Sequence, residues 1–283
     1  ATWVVDNRTN LSPNVATAPL LSAAKAPNGL YGFAYYFFDN NSTHASSKLY
    51  YGIRAGTNAS PIFSERFVTS FQQSAGLATG VGLMPSLAYD SASNPIIAAF
   101  NGATAEANLI VARSPDGGVS FSVNVVDDTS ASVGQYPSLA VSGSAIGVAY
   151  YDTTNTALKF ARWTLTGGWR RFVVDGNAGT GSCGNTANDA GKYAKLRWTS
   201  TGRPVIVYQY DTGVRIAVGA EATTSNTYTW TCGSVEATAS TLGTGIGFQL
   251  NSADYPHIVY SDTTAGSIRY AYCGSAAATC ALS

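Results

Sequence analysis

The sequence is poor in charge. Only 11% of its 283 residues are Asp, Glu, Lys or Arg, against roughly 25% in an average soluble domain. Its 16 basic and 16 acidic residues cancel. There is thus no basic surplus of the kind that neutralises phosphates, and no nucleic-acid partner is expected. No run of 18 apolar residues occurs, so no membrane insertion is expected. The histidines are His44 and His257 alone, and neither lies beside a nucleophile elbow that would suggest a Ser–His–Asp hydrolase. His44 reads as a solvated loop residue and His257 as a structural one. The Gly-rich stretch Gly176–Gly184 precedes a strand rather than a helix, which argues against a phosphate-cradling loop. Cysteine is scarce too. Cys183, Cys232, Cys273 and Cys280 form no CxxC pair, and their spacing does not suit a zinc site.

What fills the chain instead is Tyr, Gly, Thr, Ser and Asn, with 17 Tyr and 29 Gly. Such a composition favours strands and turns over helices. An even cysteine count in a low-charge chain predicts two disulfides and an oxidising compartment, hence a secreted or cell-surface protein. Three connectivities are open. The preferred one pairs Cys273 with Cys280 as a short staple and leaves Cys183 for Cys232.

A four-part repeat dominates the sequence. One copy runs Tyr136-Pro-Ser-Leu-Ala-Val, Ile146-Gly-Val-Ala-Tyr-Tyr-Asp152, Ala157-Leu-Lys-Phe-Ala-Arg-Trp163 and Gly168-Trp-Arg-Arg-Phe-Val-Val-Asp175. These are short alternating runs between turn residues, so four strands in a meander. The first run recurs at Pro19, Pro85, Ala194 and Ile246, and the second ends at Asp39, Asn101, Asp211 and Asp262. The fourth run has no copy at the C-terminus, but Val4-Val5-Asp6 supplies one at the N-terminus. The expected fold is therefore all-β: a five-bladed β-propeller of four-stranded blades, closed by the N-terminal strand completing the last blade. It would form a single domain over 1–283, with blades at approximately 15–70, 84–128, 136–176, 193–237 and 246–283 plus 1–7.

Ser114-Pro-Asp-Gly-Gly-Val-Ser-Phe121 resembles the Asp-box of the sialidase-like, BNR-repeat propellers, and Thr164-Leu-Thr-Gly-Gly-Trp169 is a decayed copy. The resemblance implies a propeller fold over most of the chain. It does not imply sialidase catalysis, because no F/Y-R-I-P segment occurs.

In such a fold the second-strand Asp residues and the fourth-strand acids would ring one face. Asp152 with Lys159, Asp211 with Arg215 and Asp262 with Arg269 read as cross-hairpin ion pairs, since the second blade replaces both partners, by Asn101 and Ile110. Residues that break the repeat are the better site candidates. Lys195-Leu-Arg-Trp198 replaces a small Ser-Leu-Ala, and Gln249 stands where other blades have Ala88 or Ala140. The expected binding residues are Asp189, Lys192, Tyr193, Arg197, Trp198, Tyr210 and Gln249. Arg197 would grip a carboxylate or sulfate, and Tyr193, Trp198 and Tyr210 would stack on sugar rings. The alternative for Arg197 is pairing with a neighbouring Asp, and for Trp198 filling a gap between blades.

These readings point first to a non-catalytic, lectin-like or adhesive propeller that recognises a glycan or polysaccharide. The alternatives are a glycoside hydrolase using axial carboxylates and a protein–protein scaffold with a partner on the loop face. For the hydrolase, Asp6, Asp128, Asp175 and Asp189 are the acids to inspect. Salt bridges confining each to its own blade would count against it. No cofactor is expected, with bound calcium as the open alternative that a ring of carboxylates allows.

Overall fold

The computed structural model describes residues 21–40, 45–56, 61–73, 81–102, 107–164, 168–176, 183, 189–222, 227–237 and 241–281. The chain divides into two compact units, Ala1–Val125 and Val126–Ser283. Every sheet is an antiparallel meander, as the repeated short runs and turn residues dictate.

The first unit holds two sheets. One comprises β1 (Leu21–Lys25), β2 (Tyr31–Asn40), β3 (Ala45–Gly56) and β4 (Pro61–Gln73). The other comprises β5 (Val81–Tyr89), β6 (Pro95–Asn101), β7 (Asn108–Arg113) and β8 (Ser122–Asp127), whose last residues pass into the second unit. Ala34, Leu49 and Tyr51 of the first sheet pack on Leu87, Ile97, Ala99 and Ile110 of the second. Alternation along β2 and β3 places these residues on one face.

The Asp-box-like turn sits between β7 and β8. The Asp116 carboxylate accepts from the Val119 and Ser120 amides and from the Ser114 and Ser120 hydroxyls. These bonds lower its pKa to about 2, the Ser120 hydroxyl contributing most. Gly117 and Gly118 both adopt positive φ there, which glycine permits at no steric cost.

The second unit begins with a sheet of β9 (Val133–Ser142), β10 (Ala145–Asp152), β11 (Ala157–Thr164) and β12 (Gly168–Gly176). The next comprises β13 (Ala190–Trp198), β14 (Pro204–Tyr210), β15 (Gly213–Glu221) and β16 (Tyr228–Glu236). The last has three strands, β17 (Leu242–Leu250), β18 (Pro256–Asp262) and β19 (Ser267–Tyr272), followed by the short helix α1 (Ala277–Cys280). First strands lie side by side, β9 against β13 and β13 against β17. The expected closing strand Val4-Val5-Asp6 lies outside the described residues, as does His44.

Serine stitches neighbouring first strands. Ser22 Oγ accepts the Leu87 amide at 3.0 Å, and Ser138 Oγ accepts the Leu196 amide at 2.9 Å. Both disulfides match the preferred connectivity, Cys183–Cys232 and Cys273–Cys280. They mark a chain that folds in an oxidising compartment. Among the described residues no helix is long and apolar enough to cross a membrane.

Acidic residues that end fourth strands tie one sheet to the next. Asp127 is fully buried. It accepts from Tyr150 Oη at 2.7 Å and pairs with Lys159 Nζ at 2.5 Å. Burial alone would raise its pKa, but bonds from Lys159, Thr129 and Tyr150 bring it below the ordinary value. Asp175, also buried, accepts from Tyr208 at 2.6 Å and from Arg215 at 2.8 Å. Glu236 accepts from Tyr260 and Arg269, each at 2.5 Å.

The expected cross-hairpin pairs hold for Asp152–Lys159, at 3.6 Å, and for Asp262–Arg269, at 2.6 Å. They fail for Asp211. Arg215 turns instead to Asp175, where a fully desolvated carboxylate offers a stronger partner than the exposed Asp211.

Candidate functional site

The site is built from the start of the first strands, where a bulge recurs. Register slips between Leu83 and Ser86, between Lys192 and Lys195, and between Leu242 and Ile246. At the equivalent positions Met84, Tyr136 and Tyr193 hold φ of 52°, 51° and 56°. A left-handed conformation in a bulky residue costs about 1–3 kcal/mol, and bulges of this kind re-aim side chains. Two residues before Tyr136 and Tyr193, Gly134 and Gly191 adopt positive φ. At Gly191 φ is +116°, and a Cβ would lie 2.7 Å from the Leu158 Cα. Only glycine fits.

The bulges bring Tyr136 and Tyr193 together with ring centroids 4.6 Å apart, and Tyr151 lies 6.4 Å from Tyr136. Tyr151 Oη donates to Asp189 Oδ1 at 2.7 Å, while Lys192 Nζ bonds the other oxygen. Lys192 Nζ also lies 5.5 Å from the Tyr151 ring centroid. Burial, with the nearby Tyr193 and Asp189, pushes the Tyr136 hydroxyl up to about 12.

Asp189 and Asp211 are tied reciprocally. The Asp189 amide donates to Asp211 Oδ1 at 2.8 Å, and the Asp211 amide donates to the Asp189 carbonyl at 2.7 Å. Asp211 also lines a depression of about 620 Å³ together with Tyr210, Arg215, Ser234 and Glu236. That volume falls in the ~300–1,000 Å³ range of small-molecule sites. The Arg215 guanidinium lies 4.3 Å from the Tyr210 ring centroid and holds it as a flat wall.

The expected binding residues thus separate into groups. Asp189, Lys192 and Tyr193 form one cluster with Tyr136 and Tyr151, and Asp211 joins it to Tyr210. Arg197 and Gln249 form a second group, with Arg197 Nε donating to Gln249 Oε1 at 2.8 Å. Arg197 follows Tyr193 by four residues, a separation on the order of 10 Å along a strand. It does not pair with an Asp among the described residues. Trp198 belongs with neither. Its Nε1 donates to the Ala140 carbonyl at 3.0 Å, and its ring packs edge-on against Phe160 at 6.1 Å. It fills the space between neighbouring sheets.

Of the inspected acids, Asp175 is buried and engaged, and Asp128 forms an exposed pair with Arg171 at 3.7 Å. Asp6 lies outside the described residues. Lys192 follows Asp189 on the same sheet, whereas Arg215 lies on the sheet after the one Asp175 ends. The acids are therefore not each confined to their own sheet. Among the described residues no three His, Cys, Asp or Glu side chains are grouped to hold a metal ion. Tyr136, Tyr151 and Asp211 were not singled out as binding residues from the sequence. The Gly-x-Tyr spacing shared by Gly134–Tyr136 and Gly191–Tyr193 is the signal that would have found Tyr136.

No family model matches the chain, and no curated protein does. Solved structures do. An α-L-arabinanase from Penicillium chrysogenum, complexed with arabinobiose, superposes with a TM-score of 0.52 at 11% identity, over 89% of this chain and 76% of that one. The α-L-arabinofuranosidase Arb93A from Fusarium graminearum, in complex with an iminosugar inhibitor, gives 0.50 at 10% identity, over 94% and 83%. The likeness establishes a propeller-type all-β fold. The narrower Asp-box resemblance rests on the Ser114–Phe121 hairpin alone. Both similar structures are glycan-cleaving enzymes and neither is a lectin. This finding corrects the expectation of a non-catalytic, lectin-like or adhesive propeller.

Proposed function

We propose that this chain is a secreted glycoside hydrolase acting on a polysaccharide, with Asp189 and Asp211 as its carboxyl pair. The observation that carries the reading is the fold it shares with an α-L-arabinanase and an α-L-arabinofuranosidase. The cluster around Asp189 supports it. Glycosidic cleavage uses two carboxyl groups flanking the scissile bond, about 5–5.5 Å apart for retention and about 6.5–9.5 Å for inversion. Asp189 and Asp211 are neighbours through their backbones, and neither is buried. Lys192 and Tyr151 orient the Asp189 carboxylate. Tyr136 and Tyr193 offer ring faces for a sugar, and Tyr210 walls the adjoining depression.

The scaffold in this reading is a single five-bladed ring in which Val4-Val5-Asp6 adds the fourth strand beside β19. Two facts support it. Among the described residues the last sheet has three strands where the other four sheets have four. Its edge strand β19 exposes Ile268, Tyr270 and Tyr272, a liability that a pairing strand would remove.

The test is incubation of the pure protein with a panel of neutral and acidic polysaccharides, arabinan included, followed by reducing-end assay and product chromatography. Release of shorter saccharides is the expected result. Intact polymers across the panel would overturn the reading.

A further inference from the structure

Lys195 breaks the pattern that joins the first strands. Ser22 and Ser138 occupy its position in their sheets, and each accepts the amide of the next first strand. A lysine ammonium has three donors and no acceptor, so Lys195 cannot make that stitch. Two residues on, Arg197 stands where Ala140 does. Residues i and i+2 project to the same side of a strand, so the two cations are neighbours. Both are half-buried. Burial pushes both pKa values down, and Arg197 adds to the effect on Lys195.

Neither cation meets a carboxylate among the described residues. Lys195 makes no hydrogen bond or ion pair there. Arg197 spends two of its five N–H groups, on Gln249 Oε1 and on the Leu196 carbonyl at 2.8 Å. Gln249, another departure from the repeat, fixes the guanidinium in place. The remaining donors of Arg197 stay available beside the Lys195 ammonium. Two adjacent, partly desolvated cations repel each other in the empty protein, and an arriving anion relieves that cost.

We propose that Lys195 and Arg197 form a binding site for an anionic substituent of a saccharide, a carboxylate or a sulfate ester, with Gln249 as the positioning residue. The inference deepens the hydrolase reading by giving the polysaccharide a negative charge, and it rests on that reading only for the saccharide. The site lies further along β13 than Tyr193, so it would hold a unit of the chain removed from Asp189.

Lys195→Ser is the informative variant, because it installs the residue that makes the stitch in two other sheets and so protects the fold. Arg197→Ala is its companion. Binding of polygalacturonate, dextran sulfate and neutral dextran would be measured by affinity electrophoresis at low and physiological salt, beside thermal midpoints. The wild type is expected to bind at least one charged polymer and not neutral dextran. Each variant is expected to weaken that binding tenfold or more, with the Lys195→Ser midpoint at or above wild type. The polymer whose binding is lost identifies carboxylate or sulfate. Equal binding of charged polymers by wild type and variants, or no preference over dextran, would overturn the proposal. Cleavage of a neutral polysaccharide at equal rates by wild type and variants, with no charged polymer bound, would overturn it while leaving the hydrolase reading intact.

Discussion

The strands β9 and β13 occupy equivalent places in adjacent sheets, yet they carry different side chains at matching positions. β9 has Ser138 and Ala140, one a stitch to the next strand and the other a small filler. β13 has Lys195, which makes no such stitch, and Arg197, whose Nε donates to the Gln249 side chain of the following first strand. The leucine between them, Leu139 or Leu196, is buried in both. The lesson is a division of labour. Positions that repeat hold the sheets together, whereas Lys195, which departs from the repeat, holds no such bond among the described residues.

The acids divide in the same way. Asp127, Asp175 and Glu236 recur at fourth-strand ends and are consumed by Tyr and a base of the following sheet. Asp189 has no counterpart in that series and joins a tyrosine cluster. Replacing a carboxylate from each class should therefore break different properties.

The largest effect is expected at Asp189. Asp189→Asn should lower the rate of polysaccharide cleavage by about 10²–10⁴, the usual contribution of a positioned acid or base. Circular dichroism and the thermal midpoint should barely change. Next comes a member of the repeated network. Lys159→Met leaves the buried Asp127 carboxylate without its ion partner, which typically costs 3–5 kcal/mol. A urea titration should show this loss, and it should grow above the ordinary carboxylate range. The folded Asp127 pKa lies below its unfolded value, so the wild-type contribution is present above the unfolded pKa and vanishes as pH falls through the folded one.

The smallest effect is expected at the Asp116 turn. Its pKa is lowered from 3.8 to about 2, so its contribution is full above pH ~4 and lost as pH falls toward ~2. Asp116→Asn should remove that slope. The check is the difference in urea midpoint between wild type and variant, which should shrink from pH 5 to pH 2.

Much of the fold was legible in the sequence. The four alternating runs foretold antiparallel meanders. Legibility failed where partners come from other sheets. Nothing in the spacing of Asp211 and Arg215 says that Arg215 will choose Asp175, forty residues earlier. The candidate site was legible as a list but not as a grouping. Arg197 and Trp198 are neighbours in sequence, but the period-two pleat sends them to opposite faces. Trp198 is consumed by the core, and Arg197 lies at a distance from Asp189. Tyr136 escaped notice because its Gly-x-Tyr spacing stands out only beside that of Tyr193, and Tyr151 because its partner Asp189 lies 38 residues away.

The most direct test of this division of labour compares Ser138→Ala with Lys195→Ser, equivalent positions in neighbouring sheets. Thermal midpoints and charged-polymer binding would be measured for both. Ser138→Ala should strand the buried Leu196 amide, cost about 1–3 kcal/mol, and leave binding unchanged. Lys195→Ser should keep or raise stability and lose binding. A stable Ser138→Ala beside a destabilised Lys195→Ser that still binds would contradict the account.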